Sequence, residues 1–253
     1  MKLIFSGEGP TDLGTFTLGP NGANFVPGPM AWIVDKLLET NHTAFSMIES
    51  HNAGGDCIIY VDETRLASFS KKGPTLLPGV KHGKGNSFFA KNAQCLGLFA
   101  NQISVADSDI ATISVLFRDG DATNSKNEWQ EKIDSMRRGF AQVDYTTGVP
   151  MVPNPISEAW LICALRNPPY TNCASIEDES GNDKSPNALK GQLNGLCGGS
   201  HPSAEMQADW VKGGRVDPER IDMPSFSAFK QALRLAAQNA GLADLQPLRS
   251  SNF

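Results

Sequence analysis

Two aspartates stand two residues apart directly after the most apolar strand-like segment of the chain. The segment is ATISVLF, residues 111–117, and Arg-Asp-Gly-Asp follows it, which places Asp119 and Asp121 at its carboxyl end. In an extended chain, side chains at i and i+2 point to the same side and lie about 7 Å apart. Two like charges so placed repel unless a cation lies between them or one takes up a proton. Hard oxygen ligands of this kind suit Mg²⁺ or Mn²⁺ better than zinc.

A third carboxylate follows the first apolar run of the chain. Residues 3–5, Leu-Ile-Phe, predict a strand that stops at Gly-Glu-Gly-Pro, so Glu8 lies on a tight turn with little side-chain bulk around it. In open α/β sheets, sites lie at the carboxyl ends of the strands. We therefore expect Glu8 to meet Asp119 and Asp121 at one edge of a sheet.

A fourth acid, Glu158, lies in PNPISEAWLICAL, residues 153–165. Asn154 can cap a helix and Pro155 can open it, and residues 159–165 are all apolar or small. Glu158 is then the single charge on a buried first turn, where the helix dipole favours a carboxylate. Two roles stay open: a structural one, or a further metal ligand or water-orienting group beside the other acids.

The Asp-Gly-Asp sequence also fits other structures. Asp-Gly is a strong hairpin signal, but no alternating strand follows it. An EF-hand loop fails because Asn124 stands in place of the required glycine and Gln130 in place of the glutamate. A haloacid-dehalogenase-type phosphatase, with the pattern Asp119, Asp121, Thr123 and Asp119 as nucleophile, stays open, although its motif usually lies on the first strand.

Positive charge is concentrated in residues 70–91, which contain no acid. Two interpretations stay open: a solvated flexible loop, or ammonium groups that contact phosphates. The net charge of −5 argues against an attraction to nucleic acid over the whole surface, but it permits such a local patch. The five lysines of the segment are Lys71, Lys72, Lys81, Lys84 and Lys91.

Cysteine and histidine spacing gives no support to two common classes of small fold. The five cysteines contain no C-x-x-C pair and the four histidines no H-x-x-x-H pair, so neither a disulfide scaffold nor a zinc finger is indicated. No apolar run reaches 18 residues, and the first residues lack the apolar core of a signal peptide. We expect a soluble cytoplasmic protein.

Predicted strands and helices alternate over the first 165 residues, which indicates an α/β fold with a mostly parallel sheet and helices on both faces. Residues 43–48, 57–61 and 111–117 are predicted strands, whereas residues 14–29 are expected to lack long regular structure. Residues 30–38, 127–140 and 224–241 are predicted helices. We expect a core at residues 1–165 and a mainly helical extension at residues 166–253 packed on it.

Five short motifs in order resemble a Toprim-like bacterial family known chiefly as a domain of unknown function. They also resemble, more loosely, the Toprim catalytic domains of topoisomerases, primases and OLD-type nucleases. The resemblance spans nearly the whole chain, but it departs at the insert of residues 14–29 and at Asp12, where a Glu is commoner. The motifs are E-G-P-T-D (8–12), R-D-G-D (118–121), P-x-x-E-A-W-L (155–161), D-K-S-P-N (183–187) and M-P-S-F (223–226).

The resemblance implies a Toprim-like fold and a Mg²⁺- or Mn²⁺-dependent nuclease. Glu8 would be a metal ligand or general acid/base, and Asp119 and Asp121 the metal-binding pair. Glu158 and Lys184 match family positions whose roles the resemblance does not assign. We expect a nucleic acid substrate, DNA in preference to RNA, bound by Lys71, Lys72, Lys81, Lys84 and Lys184.

Members of that family often lie beside an ABC-type ATPase in phage-defence operons. The resemblance therefore implies an effector of an antiviral or stress system with an ATPase partner. Because no apolar run reaches 18 residues, we expect no membrane association. A Toprim-like subunit with a degraded site, acting only in binding or as a scaffold, is the non-enzymatic alternative.

Overall fold

A four-stranded sheet lies at the centre of the computed structural model, which describes residues 1–19, 22–72, 86–120 and 126–245. The strands of the described chain are β1 (Lys2–Gly7), β2 (Gly14–Gly19), β3 (Gly22–Pro27), β4 (Ile58–Val61), β5 (Thr112–Phe117) and β6 (Gly148–Met151). The central sheet has the order β4-β1-β5-β6, and all its neighbouring strands are parallel. The predicted α/β class with a parallel sheet is confirmed.

Helices connect these strands and cover the sheet. In the described residues they are α1 (Pro29–Leu38), α2 (Met47–Asn52), α3 (Glu63–Lys72), α4 (Asn86–Ala106), α5 (Lys126–Ala141), α6 (Glu158–Leu165), α7 (Leu189–Leu196), α8 (Ala204–Lys212) and α9 (Pro224–Asn239). Within this part of the chain, no helix combines the length and apolar character that crossing a lipid bilayer requires.

Both faces of the sheet are buried, because every residue of β1 and β5 is buried, including the polar ones at their ends and in their middle. Side chains alternate between the faces. Leu3 and Phe5 of β1 belong to one apolar cluster with residues of α1 and α6, whereas Ile4 belongs to a second cluster with residues of α3, α4 and α5. The sheet is thus flanked by helices on two sides.

The chain beyond residue 165 shares the first of these clusters. Trp160 of α6 is fully buried, stacks on Phe229 with ring centroids 5.6 Å apart, and meets Phe226 edge-on at 4.8 Å. Its indole N–H donates to Ser225 Oγ at 2.9 Å. The closing helix α9 therefore packs directly on the helix that carries Glu158.

The predicted strand at residues 43–48 is wrong. A π-helical turn ends at Thr43, Ala44 takes a left-handed conformation with φ of 60°, and α2 begins at Met47. Buried Asp35 accepts hydrogen bonds from two backbone N–H groups at the start of α2, and Ser46 caps that helix. These bonds satisfy helix-terminal donors and stabilise a helix where the local sequence favours a strand.

The insert at residues 14–29 is more regular than predicted. Strands β2 and β3 form an antiparallel hairpin. Phe25 stacks on Phe5 of the sheet, with ring centroids 5.8 Å apart, and Phe16 packs on Phe25 at 5.4 Å. Aromatic packing on a face of the sheet thus gives this glycine-rich segment its structure.

A disulfide that the cysteine spacing did not predict joins Cys163 at the end of α6 to Cys173. Both cysteines are buried. Cys57, Cys95 and Cys197 are free thiols.

Candidate functional site

The carboxyl ends of β1 and β5 lie side by side. Gly7 pairs with Phe117 in the sheet register, and a Cβ at Gly7 would lie 2.6 Å from the Phe117 carbonyl oxygen, so only glycine permits this approach. The residues that follow each strand are consequently neighbours. Glu8 Oε1 accepts a hydrogen bond from the backbone N–H of Asp119 at 3.3 Å. The structure thus brings together two of the predicted site residues.

Ser157, the residue before α6, connects three further carboxylates. Its backbone N–H donates to Asp119 Oδ1 at 2.9 Å, and its hydroxyl donates to Asp12 Oδ1 at 2.7 Å. The same hydroxyl lies 3.4 Å from Glu158 Oε2. Glu8, Asp12, Asp119 and Glu158 therefore converge on one place, which we call the acidic cluster.

The helix α6 begins later than predicted. Asn154 and Pro155 do not start it; Ser157 is the N-cap residue and Glu158 the first helical residue. The preceding segment instead holds the Asp119 loop, because the Pro153 carbonyl accepts the Gly120 N–H at 3.0 Å. A proline also disfavours helical conformation in the residue before it. The later start places Ser157, instead of Asn154, among the acids.

The acidic cluster carries more negative charge than its surroundings compensate. Burial, followed by the charges of Asp12 and Glu158, raises the pKa of Asp119 to about 8, although the Ser157 N–H opposes the change. Burial is also the main cause of the raised pKa of Asp12 and of Glu158. Glu158 is only 8% exposed. A cluster of this kind holds a proton at neutral pH unless a cation is bound.

Two cationic side chains interact with the cluster. Arg118, which is buried, donates from Nη1 to Glu8 Oε2 at 2.9 Å, and its guanidinium lies 5.3 Å from the centre of the Phe88 ring. Lys190 of α7 pairs with Asp183 at 3.2 Å. Burial alone would lower the pKa of Lys190, but the bond to Asp183 and the charges of Glu158 and Asp119 outweigh it and raise that pKa.

The Asp119 loop is held by a buried lysine as well. Lys132 of α5 donates from Nζ to the Gly120 carbonyl, and its ammonium lies 5.5 Å from the centre of the Phe89 ring. With the Gly120 N–H bound to Pro153, both backbone groups of this glycine are engaged. The position of Asp119 is therefore fixed by its own loop and by α5 together.

The donor chemistry of the acidic cluster fits a hard divalent cation, since every donor is a carboxylate oxygen. As placed, however, no group of three or more His, Cys, Asp or Glu side chains in the described residues could hold a metal ion. Glu8 is turned to Arg118, and Asp121 lies outside the described residues. A metal site here would need Asp121 or a turn of the Glu8 side chain.

The predicted lysines have different outcomes. Lys81 and Lys84 lie outside the described residues, and Lys71 and Lys72 end α3 without described side chains. Lys184 is exposed in the loop before α7, where its N–H donates to Asn182 Oδ1. The nucleic-acid contacts predicted for these residues stay predictions.

Sequence reasoning missed three residues of the site. Asp12 had a signal, since it lies four residues after Glu8 in the same glycine-containing turn. Ser157 had only its position beside Glu158, and Lys190 had no signal, because tertiary packing alone brings α7 to the ends of β1 and β5. Comparisons with protein-family models, with curated proteins and with solved structures find no match for this chain.

Proposed function

We propose that this protein is a metal-dependent nuclease of Toprim type that cleaves phosphodiester bonds at the carboxyl ends of β1 and β5. One observation carries the proposal: four carboxylates converge there, and burial, followed by their mutual repulsion, raises the pKa of Asp119 to about 8. Maintaining such a cluster is costly, and perturbed carboxyl groups of this kind mark functional sites. A divalent cation would remove the cost.

Mg²⁺ or Mn²⁺ would be held by Asp12, Asp119 and Glu158, with Asp121 from the adjoining segment. When bound, such a metal lowers the pKa of a water molecule and neutralises charge on a phosphate oxygen. Ser157 keeps Asp119 and Asp12 oriented through its N–H and its hydroxyl. Glu158 would thus serve in the site instead of being only a helix-terminal acid.

Glu8 is the residue best placed to accept a proton. Its side chain is 44% exposed, whereas Glu158 is buried, so Glu8 is open to a water molecule. The Arg118 guanidinium and the Asp119 N–H orient its two oxygens. A carboxylate in this position acts as general base by taking the proton of the attacking water. Lys190 would donate to a phosphate oxygen on the other side of the cluster.

The wider setting of this proposal comes from the resemblance described above. It comprises a DNA substrate in preference to RNA, an ABC-type ATPase partner and a role in antiviral or stress defence. A cytoplasmic location is proposed from the sequence itself, which lacks the apolar core of a signal peptide. The buried disulfide between Cys163 and Cys173 counts against that location, because the cytosol keeps most thiols reduced.

A cleavage assay tests the proposed function. Supercoiled plasmid, linear duplex DNA and single-stranded RNA are incubated with wild type, Glu8→Gln and Asp119→Asn, with Mg²⁺, Mn²⁺ or EDTA. Wild type is expected to cleave at least one substrate only with metal, and each variant to lose about 100-fold or more. Glu205→Gln, an exposed change on α8, is the matched control and should cleave like wild type. Equal cleavage by all four proteins would refute the assignment.

The same proteins separate the two alternatives. A phosphatase with Asp119 as nucleophile would hydrolyse p-nitrophenyl phosphate and form a phosphoaspartate at Asp119 that mass spectrometry detects. A scaffold subunit would show no cleavage and no Mn²⁺ affinity, so Asp119→Asn would change neither property. The nuclease proposal requires metal affinity, cleavage of a polymer, and no phosphoaspartate.

A further inference from the structure

A groove opens beside the acidic cluster, along the loop before α7 and the exposed side of that helix. Its volume is about 710 Å³, within the range of pockets that bind small ligands. The described lining is mostly polar, with amide side chains from Asn187 and Asn194, and it includes no Phe, Tyr or Trp. The groove belongs to the region between residues 183 and 201 that the function proposed above does not otherwise use.

Lys190 joins this groove to the acidic cluster. It lines the groove, its side chain is 45% exposed, and it interacts electrostatically with Glu158 and Asp119. His201, also in the lining, interacts with the charge of Glu158 as well. The lysine and the histidine of the groove therefore both interact with acids of the cluster.

The groove offers donors to the phosphate oxygens of a ligand, although Lys190 donates to Asp183, another lining residue, at 3.2 Å and must exchange that carboxylate for the phosphate. His201 Nδ1 lies 2.9 Å from Asn194 Oδ1. When Nδ1 donates to that oxygen in the neutral ring, Nε2 is an acceptor and suits a hydroxyl or amino hydrogen of the ligand. Lys190 offers ammonium hydrogens and Asn187 an exposed amide. These groups match phosphate and sugar oxygens.

We propose that this groove binds the sugar–phosphate backbone of a single nucleic-acid strand on one side of the bond that is cleaved. Lys190 contacts the phosphate nearest the acidic cluster, and Asn187 and His201 contact the following nucleotide. This inference rests on the proposed function. Because the lining offers no aromatic platform for bases, the binding is tolerant of sequence and depends strongly on salt.

Fluorescence anisotropy tests the groove without cleavage, in a Glu8→Gln background. The probes are fluorescein-labelled dT12 and U12 oligonucleotides, with a poly-glutamate peptide as a competing polyanion. Lys190→Ala is expected to weaken binding of an oligonucleotide about tenfold and to reduce the salt slope by about one. His201→Ala and Asn187→Ala should weaken it by smaller factors, whereas Lys190→Arg should retain most of the affinity.

Lys230→Ala on α9 is the matched control, because Lys230 is a lysine paired with an acid, Glu219, but lies outside the groove lining. It should bind like the parent. Lys190 is largely exposed, so circular dichroism is expected to show an unchanged fold in both lysine variants.

The outcomes distinguish the groove from the function on which it rests. If wild type cleaves but all groove variants keep the parent affinity, the groove proposal is overturned and the nuclease proposal stands. If the groove variants lose affinity while wild type cleaves nothing, the groove is a binding site and the nuclease proposal fails. Preference of the groove for poly-glutamate over both oligonucleotides would also overturn the inference.

Discussion

Replacing Asp119 by asparagine should stabilise the metal-free protein, and increasingly so as the pH rises. The pKa of Asp119 rises from its ordinary 3.8 to about 8 on folding. Below about pH 4 the carboxyl group is protonated in both the folded and the unfolded chain. Between about pH 4 and pH 8 it ionises in the unfolded chain but stays protonated in the folded one, so the free energy of unfolding falls as the pH rises. At about 1.4 kcal/mol per pH unit, the loss is at most about 6 kcal/mol. The asparagine side chain would avoid this loss of stability because it is uncharged, and its oxygen can still accept the Ser157 N–H.

Urea unfolding in EDTA measures this difference. Wild type and Asp119→Asn should have similar free energies of unfolding near pH 4, and the variant should gain several kcal/mol over wild type by pH 8. Mg²⁺ should narrow the gap by stabilising wild type alone. Asp209→Asn, an exposed change on α8, is the control and should follow wild type at every pH. A gap at pH 8 no larger than the gap at pH 4 would refute the account of the cluster's charge.

Two further predictions concern the loop that carries Asp119. Lys132→Met removes the donor to the Gly120 carbonyl. Calorimetry should then show an Mn²⁺ affinity reduced about tenfold or more, as for other residues that orient metal ligands. An unchanged Mn²⁺ affinity would show that Lys132 does not position Asp119. Gly120→Ala places a Cβ 2.6 Å from the Pro153 carbonyl oxygen, so thermal unfolding should show a loss of about 2 kcal/mol or more. A melting temperature of Gly120→Ala equal to that of wild type would show that the loop adjusts to the added methyl group without loss of stability.

Much of the central sheet could be predicted from local sequence. The apolar run at residues 111–117 is rich in β-branched residues and specifies β5, and the shorter run at residues 3–5, ended by Gly-Glu-Gly-Pro, marks β1. Because both are parallel strands of one sheet, the acids that follow them lie at the same edge. Glu8 could therefore be placed beside Asp119 without any knowledge of their contacts.

Interactions between distant segments decided the features that sequence did not predict. The start of α2 depends on Asp35, which accepts two N–H groups from a segment that otherwise favours a strand. The start of α6 depends on the Pro153 carbonyl, which accepts a hydrogen bond from the Gly120 N–H instead of from a helical turn of its own segment. Lys190 has no pattern that relates it to Asp119, and only the packing of α7 on α6 brings its charge to the cluster.

The acidic cluster as a cation site is the central claim, and anomalous diffraction from crystals soaked in Mn²⁺ tests it most directly. We predict a manganese peak bounded by carboxylates of the acidic cluster, with Asp119 among its ligands, and its loss in crystals of Asp119→Asn. A Mn²⁺-soaked crystal with no anomalous peak at the ends of β1 and β5, or with a peak that survives in Asp119→Asn, would contradict the account.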